Sequence, residues 1–429
     1  MKICVFGTWH LGCVTAACLA HAGYLTTGLD YDRAVIAGLR AGKAPLFEPG
    51  LDELIAEGIA AFRLDFATDP KAVAECDIVW VAFDTPVDDN DVADVQCVID
   101  AARGLLPHLR DGAVVLISSQ LPVGSTRALS EDFRREEPSK TCHFAYSPEN
   151  LRLGKAIEIF RNAERIVVGC EDERVIQVLR PVLENFTQTI LWMCLESAEM
   201  VKHAMNVFLA TSVTFANEMA SICERVGADA GQVEQALRLE PRIGPRAYIK
   251  PGTSFAGGTL ARDVMFLRSI ARREGLHVPL IDGILPSNKA HQRWPVRRLT
   301  ERYGSLKGRN VAVLGLTYKP GTDTLRRSSS IEVCRGLAEL GAKVTAFDPA
   351  IRTLPQELEK VIRLTDSIEG ALSGADAAIV ATEWPEFKSL SPSVCIDTMR
   401  SPLICDPNRF LGAAFENAPQ ITYITVGKA

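Results

Sequence analysis

The first thirty residues alternate between strand and helix patterns around a glycine turn. Residues 2–6 form a short apolar run, residues 7–12 a glycine-bounded turn, and residues 14–22 have the small apolar composition of a helix packed on a sheet. Residues 24–29 have the pattern of a second strand. This order is typical of a βαβ unit, whose turn often binds a nucleotide. Because parallel strands need such crossovers, the opening constrains the chain to an α/β fold.

The turn departs from the dinucleotide fingerprint at one position. That fingerprint is G-x-G-x-x-G, followed about 20 residues later by an acid that binds the adenosine ribose. Trp9 occupies the place of the middle glycine. The acid is Asp30, whose carboxylate favours NAD over NADP. An ordinary βαβ unit that binds no cofactor is the alternative. The predicted cofactor contacts in this unit are Gly7, Trp9, His10, Leu11, Gly12 and Asp30.

The alternation continues and the opening unit returns near the end of the chain. Strand patterns follow at 77–83, 113–118, 143–146 and 165–169. The second copy has strand 310–314, Gly315, helix 330–340, strand 343–347 and Asp348, with later strands at 377–381 and 403–406. Strands that alternate with helices predict doubly wound parallel sheets. The fold class is therefore α/β, with two Rossmann-like domains.

A long helix separates the two predicted sheets. Residues 197–226 contain no proline or glycine and carry apolar side chains at i, i+3 and i+4 spacing. A helix far longer than the usual 11–12 residues commonly bridges domains or packs on a second copy. A second helix is predicted at 263–274. The predicted domains are 1–196, an NAD-binding domain; 197–300, a central helical dimerisation domain; and 301–429, a nucleotide-sugar-binding domain.

Composition limits the classes of partner. The 429 residues are 47% hydrophobic and 23% charged, as in a soluble globular enzyme, and the net charge of −6 argues against nucleic acid or an anionic membrane as partner. No apolar run reaches the roughly 20 residues that span a bilayer. The 12 cysteines include no C-x-x-C pair, and the seven histidines show no metal spacing. We therefore predict a cytoplasmic protein with reduced thiols and no metal site.

Several separate segments resemble one family over nearly the whole chain. They are FEPGL at 47–51, TP at 85–86, LPVG at 121–124, SPE at 147–149, KHAMN at 202–206, PRIG at 241–244, RD at 262–263 and GLTYKPGTD at 315–323. In this order they resemble the UDP-glucose/GDP-mannose 6-dehydrogenases, which oxidise a nucleotide sugar twice with NAD. The resemblance implies NAD on the first domain, the nucleotide on the last, and a homodimer through the central helix.

The resemblance also implies roles for individual residues. Asp263, through a water, would be the base for the first hydride step, and Lys202 and Asn206 would stabilise the oxyanion. Glu149 is the fourth residue implied for this step. Lys202 and Asn206 are one helical turn apart and can point together; a salt bridge between Lys202 and Asp263 that only ties helix to loop is the alternative. Further implied cofactor contacts are Thr85, Pro86 and Gln120. Implied substrate contacts are Glu149, Asn150, Leu151, Lys202, Asn206, Phe255, Gly257, Lys319 and Arg326. Asp323 lies between Lys319 and Arg326, on the segment where the resemblance implies contacts with the nucleotide diphosphate, and Asn288 is a further residue that the resemblance implies.

Two groups that the family uses in its second oxidation are replaced. The cysteine that forms a thioester aligns with Thr259, and the glutamate that helps to hydrolyse it aligns with Leu153. A family threonine aligns with Gln120, and His203, beside Lys202, is interpreted as a residue of the helix surface. The chain is thus predicted to be an NAD-dependent UDP- or GDP-sugar dehydrogenase limited to one hydride transfer. A non-catalytic nucleotide-sugar-binding homologue and a redox-neutral epimerase that uses bound NAD are the alternatives.

Overall fold

The computed structural model describes residues 1–85, 94–149, 151–256 and 258–428. Within it the chain packs as two compact units, Met1–Met205 and Asn206–Ala429. The boundary falls inside helix α8 (Leu195–Val226), which confirms the predicted long helix and starts two residues earlier. The division into three domains with boundaries at 196 and 300 stays a prediction.

The first unit is built on an eight-stranded sheet of order β3-β2-β1-β4-β5-β6-β7-β8. Strands β1 to β6 pair in parallel, β7 pairs antiparallel with β6, and β8 is parallel to β7. The antiparallel junction is a detail that strand–helix alternation does not reveal. The strands are β1 (Lys2–Phe6), β2 (Leu25–Leu29), β3 (Leu64–Ala67), β4 (Ile78–Val81), β5 (Val114–Ile117), β6 (His143–Tyr146), β7 (Ile166–Cys170) and β8 (Ile190–Met193).

Helices cover both faces of this sheet. They are α1 (His10–His21), α2 (Arg33–Arg40), α3 (Leu51–Ala60), α4 (Val95–Arg103), α5 (Ser125–Glu136), α6 (Ala156–Arg161) and α7 (Glu173–Leu183), with 3-10 turns at Pro70–Glu75 and Leu106–His108. Alternate residues of β1 enter opposite cores, since Ile3 and Val5 pack in one apolar cluster and Cys4 and Phe6 in the other. This two-sided burial is what a nearly continuous apolar strand predicts.

The second unit carries a six-stranded parallel sheet of order β11-β10-β9-β12-β13-β14. Counted within the unit, this is the strand order 3-2-1-4-5-6 of dinucleotide-binding folds, which the first six strands of the other sheet also follow. The predicted α/β class with two doubly wound sheets is thus confirmed. The strands are β9 (Asn310–Leu314), β10 (Lys343–Phe347), β11 (Ile362–Leu364), β12 (Ala377–Val380), β13 (Leu403–Cys405) and β14 (Thr422–Ile424).

The helices of the second unit precede and cover its sheet. They are α9 (Ala230–Leu239), α10 (Thr259–Arg273), α11 (Pro279–Gln292), α12 (Trp294–Tyr303), α13 (Ser329–Glu339), α14 (Gln356–Glu359), α15 (Ile368–Leu372), α16 (Pro392–Thr398) and α17 (Ala413–Glu416), with a 3-10 turn at Pro385–Ser389. Helix α10 begins four residues before the predicted start at 263. The reason is that Gly258, with a φ of +102°, ends the preceding loop and residues 259–262 form a first helical turn.

The cysteines serve as packing residues in both units. Nine of the twelve are buried, and all twelve are unpaired thiols, as predicted from their apolar sequence contexts. In the part of the chain that the structure describes, no group of three or more His, Cys, Asp or Glu side chains is arranged to hold a metal ion. Among the same residues, no helix has both the length and the apolar composition needed to cross a membrane.

Candidate active site

The glycine turn of the first unit connects β1 directly to α1. Gly7 has a φ of +92°, and a Cβ there would lie 2.9 Å from the ring of Phe83. At Gly12 a Cβ would lie 1.7 Å from the carbonyl oxygen of Gly7, so only glycine permits this close approach of helix and turn. Gly7 therefore permits the tight turn, and Gly12 permits the close packing of α1 against it. Leu11, which precedes Gly12 in the sequence, is buried.

Trp9 is the N-cap residue of α1, which begins at His10 rather than at residue 14. Its side chain makes no capping hydrogen bond and is 46% exposed. The Trp9 side chain thus leaves the N–H groups of the first helical turn uncapped, and uncapped N–H groups at a helix N-terminus are a common anion-binding feature.

His10 has a partner that the sequence did not suggest. Its Nε2 lies 2.9 Å from Oε2 of Glu48, which is buried and also accepts backbone N–H bonds from Gly154 and Ala156. Burial raises the pKa of Glu48, but these hydrogen bonds outweigh it, and the pKa lies below the usual value. The cofactor turn is thereby tied to the segment that precedes α6.

Asp30 and Asp348 occupy equivalent positions after the second strand of each sheet. Asp30 accepts hydrogen bonds from Thr8 N at 2.7 Å and from Asp32 N at 3.0 Å, and it stays partly exposed. Asp348 is fully buried and accepts from Thr317 N and from the indole Nε1 of Trp384. Of the two carboxylates, Asp30 is the one that an incoming ribose could reach.

The residues after β4 and β5 adjoin each other at the carboxyl edge of the first sheet. Thr85 Oγ1 donates to the carbonyl oxygen of Gln120 at 2.7 Å. The predicted cofactor contact Pro86 lies outside the described residues, as do the predicted substrate contacts Asn150 and Gly257. Of the cofactor positions at this edge, Thr85 and Gln120 are therefore brought together.

Lys202 and Glu149 form one polar pair of the first unit. Lys202 Nζ donates to the carbonyl oxygen of Glu149 at 2.6 Å and lies 3.7 Å from its Oε1. Glu149 Oε2 accepts from Leu151 N at 2.6 Å. Lys202 is only 7% exposed, so its cation lies at the end of the SPE segment and is largely shielded from solvent.

The prediction that His203 is a residue of the helix surface is wrong. His203 is fully buried, and its Nε2 donates to the carbonyl oxygen of Leu121 at 3.1 Å. Glu199, one turn earlier on α8, is fully buried as well and accepts from Gly124 N and Thr126 N. The amphipathic pattern missed both residues because α8 buries polar side chains on this face. A charged residue inside an apolar helical stretch was the signal available for Glu199.

Asn206 and Asp263 form the polar pair of the second unit. Asn206 Nδ2 donates to Asp263 Oδ2, and the two side chains are 5% and 0% exposed. Asn206 lies one turn after Lys202 on α8, and Asp263 is in the second turn of α10. The four residues predicted for the first hydride step thus form two pairs, Lys202 with Glu149 and Asn206 with Asp263.

Thr259 and Leu153, which the sequence analysis aligns with the family's second oxidation, are more exposed than the buried pair of the second unit. Thr259 is the first residue of α10 and is exposed, and within the described residues its hydroxyl makes no hydrogen bond. Leu153 is 40% exposed. In the second unit, Cys223 and Cys334 are buried in the apolar core, and burial raises the pKa of the Cys334 thiol to about 12. None of these groups is an activated nucleophile.

The loop before Thr259 is held by amide side chains. Asn288 takes both backbone groups of Phe255, accepting from its N–H at 3.0 Å and donating to its carbonyl oxygen at 2.7 Å. Asn408 Oδ1 accepts from Thr253 N, and Asn217 Oδ1 accepts from Gly252 N. The sequence named Phe255 and Asn288 but missed the two other asparagines, which had no motif to mark them.

A small cleft, with a cavity volume of about 30 Å³, lies within the second unit at the carboxyl edge of its sheet. It is lined by Thr253, Ser254, Trp294, Ser329 and Ala381, among others. The strand order reverses between β9 and β12, and clefts at such reversals are the usual ligand sites of doubly wound sheets.

The predicted diphosphate contacts lie on the segment between β9 and α13. Lys319 is partly exposed, and Arg326 and Asp323 are exposed. The backbone turns at this point, since the carbonyl oxygen of Lys319 accepts from Thr322 Oγ1 at 2.8 Å. Both cations are thus on the surface of the unit that carries the cleft.

Three family descriptions match successive parts of the chain. Residues 1–187 match the NAD binding domain of the UDP-glucose/GDP-mannose dehydrogenase family, residues 196–290 match its central domain, and residues 312–413 match its UDP binding domain.

Individual relatives match along almost their whole length. The chain is 33% identical to UDP-glucose 6-dehydrogenase TuaD of Bacillus subtilis, over 100% of this chain and 93% of that protein. It is 35% identical to a UDP-glucose 6-dehydrogenase of Rhizobium meliloti, over 95% and 94% of the two chains. A solved UDP-glucose dehydrogenase from Pyrobaculum islandicum has a TM-score of 0.86 at 32% identity, over 100% and 98% of the two chains.

Proposed function

Because the chain belongs to the UDP-glucose/GDP-mannose dehydrogenase family of NAD-dependent oxidoreductases, we propose that it oxidises an alcohol carbon of a UDP- or GDP-linked sugar and stops after one hydride. The observation that carries the proposal is the contrast between Asn206–Asp263, a buried hydrogen-bonded pair, and Thr259, which is exposed and whose hydroxyl has no hydrogen-bonding partner among the residues that the structure describes. The product would be an aldehyde or a ketone.

The residues of the first glycine turn fit NAD. A Cβ has no room at Gly7 or Gly12, the start of α1 has no capping side chain, and the Asp30 carboxylate is partly exposed. We assign the pyrophosphate to the start of α1 and the adenosine ribose to Asp30. When bound, NAD supplies the hydride acceptor. Trp9 would lie beside the pyrophosphate, with its indole in solvent.

The two polar pairs have complementary tasks in the first oxidation. Asp263 accepts the proton of the sugar hydroxyl through a water, because a carboxylate held by an amide N–H is a base already in position. Lys202 stabilises the negative charge that develops on the sugar oxygen, and its shielding from solvent strengthens that effect. Asn206 orients Asp263. Glu149 holds Lys202 through its carbonyl oxygen.

A second oxidation needs groups that this chain does not supply at the family's positions. An aldehyde gives up hydride readily only after a nucleophile has added to its carbonyl. The Thr259 hydroxyl ionises far less readily than a thiol and has no base within hydrogen-bond distance among the described residues. Leu153 cannot activate water. Hydration of the aldehyde to a gem-diol would leave a slow route.

We assign the nucleotide to the second unit. The strand order of its sheet reverses between β9 and β12, where doubly wound sheets usually bind ligands, and Lys319 and Arg326 supply positive charge for a diphosphate. Phe255, held at both backbone groups by Asn288, would cover the sugar. UDP and GDP sugars both fit this assignment.

We also propose a homodimer through α8. Phe208, Phe215 and Ile222 follow each other at seven-residue spacing and are 69%, 47% and 54% exposed. Residues spaced by seven lie on one side of a helix, and an apolar row of this kind packs well against its own copy. Light scattering after gel filtration would give twice the chain mass. A monomeric mass would reject the dimer.

The function is tested by incubating the purified protein with NAD and a panel of UDP- and GDP-sugars, and by identifying the products by mass spectrometry. We expect NADH and a product two hydrogen atoms lighter than the sugar. A product of unchanged mass but altered configuration would favour the epimerase. Binding of NADH and of a nucleotide sugar without turnover of any sugar would favour a non-catalytic homologue.

A further inference from the structure

The turn of α8 that carries Lys202 is fastened to the segment after β5 on both sides of the lysine. Glu199 lies three residues before Lys202 and His203 one residue after it. Glu199 contacts the start of α5, and His203 Nε2 donates to the carbonyl oxygen of Leu121 at 3.1 Å. The three side chains therefore belong to one helical turn.

Both oxygens of the Glu199 carboxylate accept hydrogen bonds from this segment. Its Oε2 accepts from Gly124 N at 2.6 Å, and its Oε1 accepts from Thr126 N at 2.9 Å and from Thr126 Oγ1 at 2.7 Å. Gly124, with a φ of +94°, is the N-cap residue of α5 and offers no capping side chain. A carboxylate from another helix thus takes the place of the missing cap.

A carboxylate at this place is costly unless it is held in one geometry. Glu199 is fully buried, and burial raises its pKa above the usual value against the opposing effect of the three hydrogen bonds. At a φ of +94°, position 124 favours glycine, so a capping serine or aspartate there would be strained. The arrangement instead makes the position of α8 depend on the position of residues 121–126.

The same segment borders the proposed cofactor site. It begins directly after Gln120, whose carbonyl oxygen accepts from Thr85 Oγ1 at 2.7 Å. Residues 118–126 therefore have fixed contacts with the carboxyl end of β4 on one side and with α8 on the other.

We propose that Glu199 is a positioning residue, which holds Lys202 at a fixed place relative to the Gln120 side of the NAD site through the Gly124 and Thr126 backbone. This inference rests on the proposed function of Lys202. It does not depend on whether one or two hydrides are transferred. Glu199 touches neither substrate nor cofactor, so its effect is on the rate of hydride transfer and not on ligand affinity.

The test compares Glu199→Gln with Glu196→Gln. Glutamine keeps the size of Glu199 but turns an NH2 group towards one of its N–H donors, which loosens the contact. Glu196 is on the preceding turn of α8 and forms an ion pair with Arg127 of α5, but the two side chains are partly exposed, at 36% and 39%, whereas Glu199 is fully buried. Because misplacement of about 1 Å costs up to about 100-fold in rate, we expect kcat to fall about 10- to 100-fold in Glu199→Gln and less than about twofold in Glu196→Gln.

Ligand affinities separate positioning from general damage. In Glu199→Gln the dissociation constants of NADH and of the nucleotide sugar should change less than about threefold. Thr126→Val, which removes one of the three hydrogen bonds, should lower kcat less than Glu199→Gln does, and Thr126→Ser should restore it. Equal kcat values in wild type and Glu199→Gln would overturn the proposal, as would a loss of kcat that disappears once activity is expressed per folded molecule.

Hydrogen exchange provides a readout that needs no turnover. Residues 121–126 and the Lys202 turn should exchange faster in Glu199→Gln than in wild type, and Glu196→Gln should leave both unchanged. Unchanged exchange in Glu199→Gln would overturn the proposal even if the wild-type protein oxidised no sugar. Failure of the proposed function, by contrast, would show as absent turnover in the wild type together with the expected change in exchange.

Discussion

The residues proposed for the first hydride step and those aligned with the second step differ in how the protein holds them. Lys202, Asn206 and Asp263 are each less than 10% exposed, and each has a hydrogen-bonding partner. Thr259 is exposed at the start of a helix, and Leu153 is apolar and 40% exposed. Burial of charge is costly, so polar side chains that are kept buried and paired indicate a task that repays the cost.

This difference in burial and pairing distinguishes the loss of a single group from the loss of the groups of a whole step. A single lost group in an otherwise intact site would leave the remaining groups of that step in place. Here the sequence comparison aligns Thr259 and Leu153 with the nucleophile and the hydrolytic carboxylate, which we propose are both lost, while the two polar pairs proposed for the first step are both present. We therefore expect large effects from substitutions of the residues proposed for the first step, and small effects from substitutions at the positions aligned with the second step.

The largest effect is expected for Asp263→Asn. The amide keeps the hydrogen-bonding shape but cannot take a proton, and general-base catalysis contributes about 100- to 10,000-fold. We expect kcat to fall about 1000-fold, with little change in the dissociation constant of the nucleotide sugar, measured by NADH formation and by calorimetry.

Asp282→Asn is the matched control for that substitution. Asp282 is an exposed aspartate of α11 that pairs with Arg268 on α10, so the same chemical change is made outside the proposed site. Its kcat should stay within about twofold of wild type. Retention of activity in Asp263→Asn would remove the proposed base.

A smaller effect is expected for Asp30→Ala. The variant loses the carboxylate proposed for the ribose hydroxyls, and a charged hydrogen bond is worth about 1.5–3 kcal/mol, or about 10- to 100-fold in affinity. We expect NADH to bind at least tenfold more weakly, while the nucleotide sugar binds as before. Asp32→Asn, which removes a neighbouring charge but can still cap α2, should leave NADH affinity unchanged. Equal NADH affinity in Asp30→Ala and wild type would contradict the assignment of the cofactor turn.

The smallest effect is expected for Thr259→Ala. Because the hydroxyl has no assigned part in the first step, kcat and KM should both stay within about twofold of wild type in steady-state assays of NADH formation. A loss of tenfold or more would show that Thr259 acts in the reaction and would blur the comparison between the two groups of residues.

Much of the fold was predictable because the spacing of apolar residues along the chain determines which segments form buried strands and helices. The bounds of β1, β6, β9 and β10 agree with the predicted strands, since each is a short apolar run bounded by polar residues or glycine. The reversed direction of β7 was not predictable, because side-chain alternation is the same in parallel and antiparallel strands.

Site residues could be predicted where the residue type itself indicates the chemistry. Contacts that depend on how distant segments pack together could not be predicted. Asp263, Lys202 and Asn206 could be named from spacing and resemblance. The pairing of His10 with Glu48 and the burial of His203 could not, because both depend on contacts between segments far apart in sequence.

The stoichiometry of the reaction tests the central claim most directly. NADH formed per nucleotide sugar consumed should be one for the wild-type protein and for Thr259→Cys, because that variant still lacks the hydrolytic carboxylate. The double variant Thr259→Cys with Leu153→Glu has both missing groups and is the one in which the value should rise towards two. Two equivalents of NADH with a uronic acid as the product of the wild-type protein would contradict the account.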